Sequence, residues 1–451
     1  MKTLSLIVVG GGAAGMMAAC AAAGTDPRCR VLLLEKNEKL GKKIYITGKG
    51  RCNFTNLCPA EDFFASVPCN SRFLYSSVYG FDSAQVFDWF ESRGMKAKKE
   101  RGNRAFPESD HASDVTKTLE REMRTLGVTV RLNTEVSEIV TEPLPERERE
   151  DRSARQDGGT GKRKTQSAGK RSRVSGVKLK DGTFLPADAV IVATGGLSYP
   201  STGSTGDGYR FARSTGHSVG ALHPSLVPLQ TAEEDIPQMQ GLSLKNVTLT
   251  VRDGKKKLCE LFGEMMFTHF GVTGPLVLTA SALIQRQIAD HPLQAEIDLK
   301  PALTGQMLDA RILRAFEASP NREIRNVLGE VYPAKMVPVM LRRCGIDPPT
   351  PVHDVTKQQR LELVEGTKHF RFTILSLRGW NEAVITHGGV SVKQIDPATM
   401  ESKITAGLYF AGEVIDVDAL TGGFNLQIAW STGHAAGEGA AQAGTDALPQ
   451  V

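Results

Sequence analysis

Three glycines near the start of the chain, Gly10, Gly12 and Gly15, stand at G-x-G-x-x-G spacing, and Glu35 follows Gly15 by twenty residues. Each residue type has a physical reason to be there. Gly10 permits a tight turn, Gly12 lets a pyrophosphate approach the backbone, Gly15 lets the next helix pack closely, and Glu35 can accept hydrogen bonds from a ribose. A helix opening at this turn offers unpaired N–H groups and its positive dipole end to phosphates. The implied chemistry is dinucleotide binding. Two histidines beside glycines, His269 in FTHFG and His387 in THGG, are candidate proton-transfer groups, and Tyr199 just after ATGG is a third. Cys52 is a thiol without a C-x-x-C partner, which reads more simply as a small buried residue than as a redox group. No H-E-x-x-H, facial-triad or nucleophile-elbow spacing occurs, so neither a metal nor a nucleophile is expected.

The elements that must hold these residues are legible at the start of the chain. Leu4 to Val9 is an apolar run, an alanine-rich helical pattern extends to Ala23, and Arg30 to Leu34 is a second apolar run ending at Glu35. Short strands are expected at Val128 to Leu132 and Val136 to Val140, with Val174 to Leu179 and Thr183 to Leu185 flanking an Asp181-Gly182 turn. Ala189 to Val192 reads as a buried strand that runs into Thr194 and Gly195, placing a second glycine turn near the dinucleotide. Gly407 to Phe410 runs into Gly412 and Glu413, then Asp416 and Asp418, and Thr421 to Gln427 opens another helix. The chain therefore returns to its first domain. A distant second helix start suits FAD better than NAD, because the longer cofactor develops negative charge near its ring end on reduction.

Several further motifs occur in order along the chain: TGKGRCNFTN from Thr47, FTHFGVTGP from Phe267, THGGV from Thr386, and the closing GEVIDVDALTGGFNLQIAWSTGHAAG. Together they resemble the bacterial aminoacetone-oxidase-like NAD(P)/FAD-dependent flavoproteins over essentially the whole length. The resemblance implies an α/β fold, with a Rossmann-type FAD domain interrupted by a β-barrel-like domain and a small helical domain. It implies FAD contacts at Ala14, Glu35, Lys36, Lys43, Gly48, Gly50, Arg51, Cys52, Asn53, Val136, Gly412, Glu413, Asn425 and Leu426, with Val136 holding the adenine end through its backbone. Lys49 departs from the commoner glycine of the family. The expected domain edges fall near 200, 297, 360 and 390: FAD domain at 1–200 and 390–451, β-rich domain at 201–297 and 361–389, helices at 298–360.

At 451 residues, 40% hydrophobic and 23% charged, the chain has the composition of a globular protein of roughly three domains. No run nears the roughly 20 apolar residues of a membrane span, and a strand-like start where a leader would lie gives a cytoplasmic expectation. The net charge of +5 equals that of the segment Glu146 to Arg173, with ten basic and five acidic residues, which reads as a solvated loop. On that reckoning the body is neutral and no nucleic-acid partner is expected. The family's activities imply reduction of conjugated C=C bonds in 3-oxo bile-acid or steroid enones, with NAD(P)H as transient co-substrate. The alternative is oxidation of aminoacetone by dioxygen. A flavin-dependent RNA- or protein-binding module is the third reading.

Overall fold

A computed structural model describes residues 3–144 and 170–446. The chain divides into two compact units, residues 1–223 with 385–451 and residues 224–384. Most of the charged segment at 146–173 lies outside the described residues.

The first unit is built on a five-stranded parallel sheet in the order Leu408–Phe410, Ala189–Val192, Ser5–Val9, Arg30–Leu34, Thr129–Arg131. Its registers align the strand ends, with Val9 opposite both Leu34 and Val192, and Val192 opposite Phe410. The inner strands are continuous apolar runs because both faces are covered, as parallel sheets require. The helix Ala13–Thr25 packs against the sheet and against the helix Phe424–Asp446. Small residues set that helix pair. A Cβ on Gly433 would lie 2.4 Å from the Ala14 carbonyl oxygen, and one on Gly437 would lie 2.3 Å from that of Ala18.

Beyond this sheet lie an antiparallel hairpin, Val136–Pro143 with Ser172–Leu179, and a small sheet of Thr55–Asn56, Arg104–Pro107 and Ala97–Lys99. The expected Asp181-Gly182 turn is present, with Leu179 N–H donating to the Thr183 carbonyl at 2.8 Å.

The second unit is a closed six-stranded barrel joined to helices. Strands Leu293–Asp298 and Phe370–Leu377 pair directly, with Ala295 opposite Phe372, although the helices Gly305–Glu317, Val337–Arg343 and Lys357–Lys368 intervene in sequence. Barrel residues such as Ile297 and Phe372 share one apolar core with Leu308, Met340 and Leu363 of those helices. The helical segment 298–360 and the barrel therefore form one unit, where separate domains were expected. Likewise 201–223 and 385–389, expected with the barrel, belong to the first unit. The strand Lys256–Phe267 went unread because its exposed positions mix charged residues with the apolar Phe262, which blurs the alternation. Among the described residues no helix is long and apolar enough to cross a membrane.

His217 is buried in the first unit, with Nδ1 3.0 Å from Thr215 Oγ1 and Nε2 2.7 Å from Ser402 Oγ. Burial pushes its pKa down to about 4. The unfolded chain then binds a proton between pH 6.5 and 4 that the folded chain refuses. Stability is full above the unfolded pKa and falls with pH across this window, by about 3 kcal/mol. Urea unfolding at neutral pH and near pH 4.5 should show a smaller acid loss for His217→Gln than for the parent; equal losses in the two proteins would refute this assignment.

Candidate functional site

The strand Ser5–Val9 ends in a turn locked on two sides. Gly10 N–H donates to the Leu34 carbonyl at 2.8 Å, and Ala193 N–H donates to that of Val9 at 2.9 Å. Gly10 has φ +107°, and a Cβ there would lie 2.5 Å from the Ala193 oxygen. A Cβ on Gly15 would lie 1.9 Å from the Gly10 oxygen. The turn therefore tolerates no side chain at either position. The helix opens at Ala13 without a side-chain cap, and a Cβ on Gly12 would meet no protein atom within 4 Å. An anion can approach these N–H donors.

Glu35 is buried beside this helix start. Its Oε2 accepts from Gly11 N–H at 2.7 Å, and its Oε1 accepts from Asn37 N–H at 2.8 Å and Asn37 Nδ2 at 2.6 Å. The carboxylate is thus aimed by protein donors, and its other lone pairs suit ribose hydroxyls.

Distant segments converge at Glu413. Lys43 Nζ lies 2.6 Å from Glu413 Oε2 and 2.5 Å from Ser198 Oγ; Ser198 Oγ also donates to Glu413, and Thr386 N–H donates to Glu413 Oε1 at 2.9 Å. Gly412 packs against Ala14, so this cluster adjoins the glycine turn. Ser198 carries no sequence signal of its own, and Thr386 shows only as the first residue of the THGGV motif. Their part exists only once the chain is folded.

In the Gly48 to Asn53 loop, Cys52 is fully buried and its thiol is pushed up to about 12 by burial. It stays protonated near neutral pH, which agrees with a packing role and not a redox one. Asn53 Oδ1 and Thr194 Oγ1 are buried without a hydrogen-bond partner among the described residues. Buried polar atoms of this kind call for a partner, and a flavin dinucleotide can supply one. With the open helix start and the aimed Glu35, the donor set fits FAD.

Other expected contacts are differently engaged. Lys36 Nζ is paired with Asp207 at 2.7 Å. Arg51 bonds Asp110 Oδ1 through Nε at 2.8 Å and also pairs with Glu100. The Asn425 side chain braces its own loop, donating to the Ala419 carbonyl at 2.7 Å and accepting from Ala419 N–H at 2.8 Å. For these three the side chains brace the protein. Asn425 and Leu426 lie in the first turn of the helix Phe424–Asp446. Val136 is buried and pairs with Leu179; Gly50 and Gly195 both adopt positive φ.

Among the candidate acids, His387 stands out. Its Nδ1 lies 2.8 Å from Oδ1 of Asp418, whose side chain is 4% exposed, and its neighbour Thr386 is bound to Glu413. The half-buried Tyr199 caps a short helical turn at φ +51° in the same unit. His269 is in the other unit, exposed at a tight connection next to Phe270, and Met265 and Phe267 beside it are barrel core. The structure thus links His387, through Thr386, to the Glu413 cluster and gives His269 no such link among the described residues.

The sequence model of the HI0933-like protein Rossmann domain matches residues 4–439. The chain is 30% identical to a 3-dehydro-bile acid delta(4,6)-reductase of Clostridium scindens, over 96% of this chain and 98% of that one. It is 31% identical to a ribosomal RNA dihydrouridine synthase of Haemophilus influenzae, over 92% and 94% of the two chains. Among solved structures, the FrdA subunit of Escherichia coli quinol fumarate reductase matches at TM-score 0.50 and 16% identity, over 100% of this chain and 72% of that one, a likeness of fold. The relatives with ribosomal RNA in their names leave the expectation of no nucleic-acid partner without support.

Glu35→Ala removes the acceptor of two backbone N–H groups and of the expected ribose bonds. Hydrogen bonds to a charged group contribute roughly 1.5–3 kcal/mol. The FAD dissociation constant, measured by flavin fluorescence, should therefore rise on the order of tenfold to a hundredfold. Unchanged affinity would take Glu35 out of the site.

Proposed function

Because the chain belongs to the HI0933-like Rossmann-domain family and is a flavin-dependent oxidoreductase, we propose that it reduces a carbon–carbon double bond conjugated to a carbonyl. A 3-oxo-steroid enone of the bile-acid type is the first substrate reading, with NAD(P)H as electron donor. Bound FAD would supply the hydride-transfer chemistry.

The observation that carries this reading is the pair of His387 and buried Asp418 beside the Glu413 cluster. Reducing an enone adds a hydride at the β-carbon and a proton at the α-carbon, so the protein must hold a proton near the cofactor. Asp418 accepts from Nδ1–H of His387 and fixes the ring. His387 is the proton donor in this scheme, and Tyr199 is the alternative. The start of the helix Phe424–Asp446 favours negative charge at the cofactor's ring end. NAD(P)H is oxidised to NAD(P)+ as the substrate gains two hydrogens.

Uracil is the second reading. Its C5=C6 bond is conjugated to a carbonyl in the same way, and the relative from Haemophilus influenzae is named for dihydrouridine formation in ribosomal RNA. The basic hairpin described below favours it.

Anaerobic stopped-flow absorbance tests the reaction class. NADH or NADPH should bleach the yellow protein, and a 3-oxo-Δ4 bile acid or a uridine-containing RNA should restore the colour faster than air does. Bleaching by aminoacetone with rapid peroxide formation in air, and no response to NAD(P)H, would replace this reading with an amine oxidase. In His387→Asn, bleaching by the nucleotide should be retained while recolouring by the substrate slows on the order of a hundredfold or more. Equal slowing of both phases would assign His387 to cofactor binding.

A further inference from the structure

The segment Lys96 to Arg104 reads KAKKERGNR, five basic residues and one acid, and a whole-chain charge count averages it away. It folds as a hairpin whose strands Ala97–Lys99 and Arg104–Pro107 share a sheet with Thr55–Asn56. Thr55 stands opposite Ala105 and Asn56 opposite Arg104, and Asn56 Nδ2 donates to the Gly102 carbonyl at 3.1 Å. The hairpin is therefore fastened to the segment just after the Gly48 to Asn53 loop.

Its internal charges are already balanced. Glu100 is taken by Arg51 of that loop, and Asp110 is shared by Lys98 at 2.8 Å and Arg51 at 2.6 Å. These cations hold both carboxyls below their ordinary range, Arg51 acting on Glu100, and Lys98 followed by Arg51 on Asp110. Lys96, Lys99, Arg101 and Arg104 remain exposed, with no ion-pair partner among the described residues. Lys49, in the loop two residues before Arg51, is also exposed and without such a partner. An array of unneutralised cations repels itself and is relieved by a polyanion.

We propose that this hairpin is a phosphate-backbone docking surface for RNA, positioned to deliver a uracil ring to the adjoining cofactor loop. A body that is neutral in sum can still carry such a local basic surface. Solvation of an exposed hairpin is the plain alternative, and it predicts no affinity and no salt slope. The delivery step rests on the proposed reductase activity; the docking step stands apart from it.

The test uses the full-length holoprotein and a fluorescein-labelled, uridine-rich RNA stem-loop of about 20 nucleotides, followed by anisotropy over a KCl series. The expected result is binding whose logarithm falls linearly with the logarithm of salt. Lys99→Ala/Arg101→Ala/Arg104→Ala should lower that slope by roughly 2, at about 0.7 per single-strand phosphate contact, and weaken binding about tenfold or more near 150 mM salt. FAD content and recolouring by a free enone should not change in this variant. Lys99→Glu/Arg101→Glu provides a second variant with a larger loss. Parent-like binding by both variants, no binding by the parent, or loss of binding only on deletion of 146–169 would overturn the proposal. Enone turnover without RNA binding refutes docking alone, whereas RNA binding without recolouring by enone or RNA refutes the reductase reading alone.

Discussion

Backbone proximity at the first strand-to-helix turn is the constraint from which the site follows. Gly15 brings the helix Ala13–Thr25 so near the turn that a Cβ would lie 1.9 Å from the Gly10 oxygen. That closeness aims the helix start over the sheet edge, where Val9, Leu34, Val192 and Phe410 end in register. The same demand for small residues recurs where Gly433 and Gly437 meet the backbone of that helix. One helix therefore positions the other, and the first turn of Phe424–Asp446 is held in the same unit as the fingerprint. Close packing through glycine thus places two positive helix ends in one unit, as an elongated dinucleotide would need.

Electrostatics then closes what packing brings near. Lys43 and Glu413 lie 370 residues apart in sequence and 2.6 Å apart in space. With Ser198 and Thr386 they connect four segments, and Thr386 carries His387 beside them. A partly buried charge pair of this kind is poor evidence of stability, because desolvation offsets its attraction. Its value here is geometric. The pair fixes these segments beside the glycine turn, and Asp418 fixes the imidazole in turn.

What could be read in advance followed from local demands. The glycine fingerprint, Glu35 and the apolar parallel strands each answer a requirement that acts within a few residues, so their types and spacing carry it. The Glu413 cluster was only half legible: Lys43 and Glu413 came through the family resemblance, whereas Ser198 is an ordinary residue and Thr386 merely opens a motif until topology joins them. Asp418 was visible in the loop but not as the partner of His387, since its role depends on a contact and not on a motif. The strand Lys256–Phe267 hid because its exposed positions mix Lys and Glu with Phe262, so no clean two-residue period shows. The domain edges moved because the strands Leu293–Asp298 and Phe370–Leu377 pair across the intervening helices, a long-range choice that composition does not record.

The two substrate readings demand the same thing of the centre and different things of the rim. A 3-oxo-4-ene ring and a uracil ring both present a carbon made electron-poor by a conjugated carbonyl, and both need a proton on the neighbouring carbon. In the proposed scheme His387, Asp418 and the helix start of Phe424–Asp446 would meet that demand without regard to what the ring is attached to. Discrimination must come from groups that touch the remainder of the molecule. An apolar steroid gains little from Lys96, Lys99, Arg101 and Arg104, whereas every phosphate of an RNA strand gains from them. Those cations lie on the hairpin that Arg51 ties to the Gly48 to Asn53 loop, so on the proposed reading local charge, more than chemistry at the centre, is the property that would select between the two substrates.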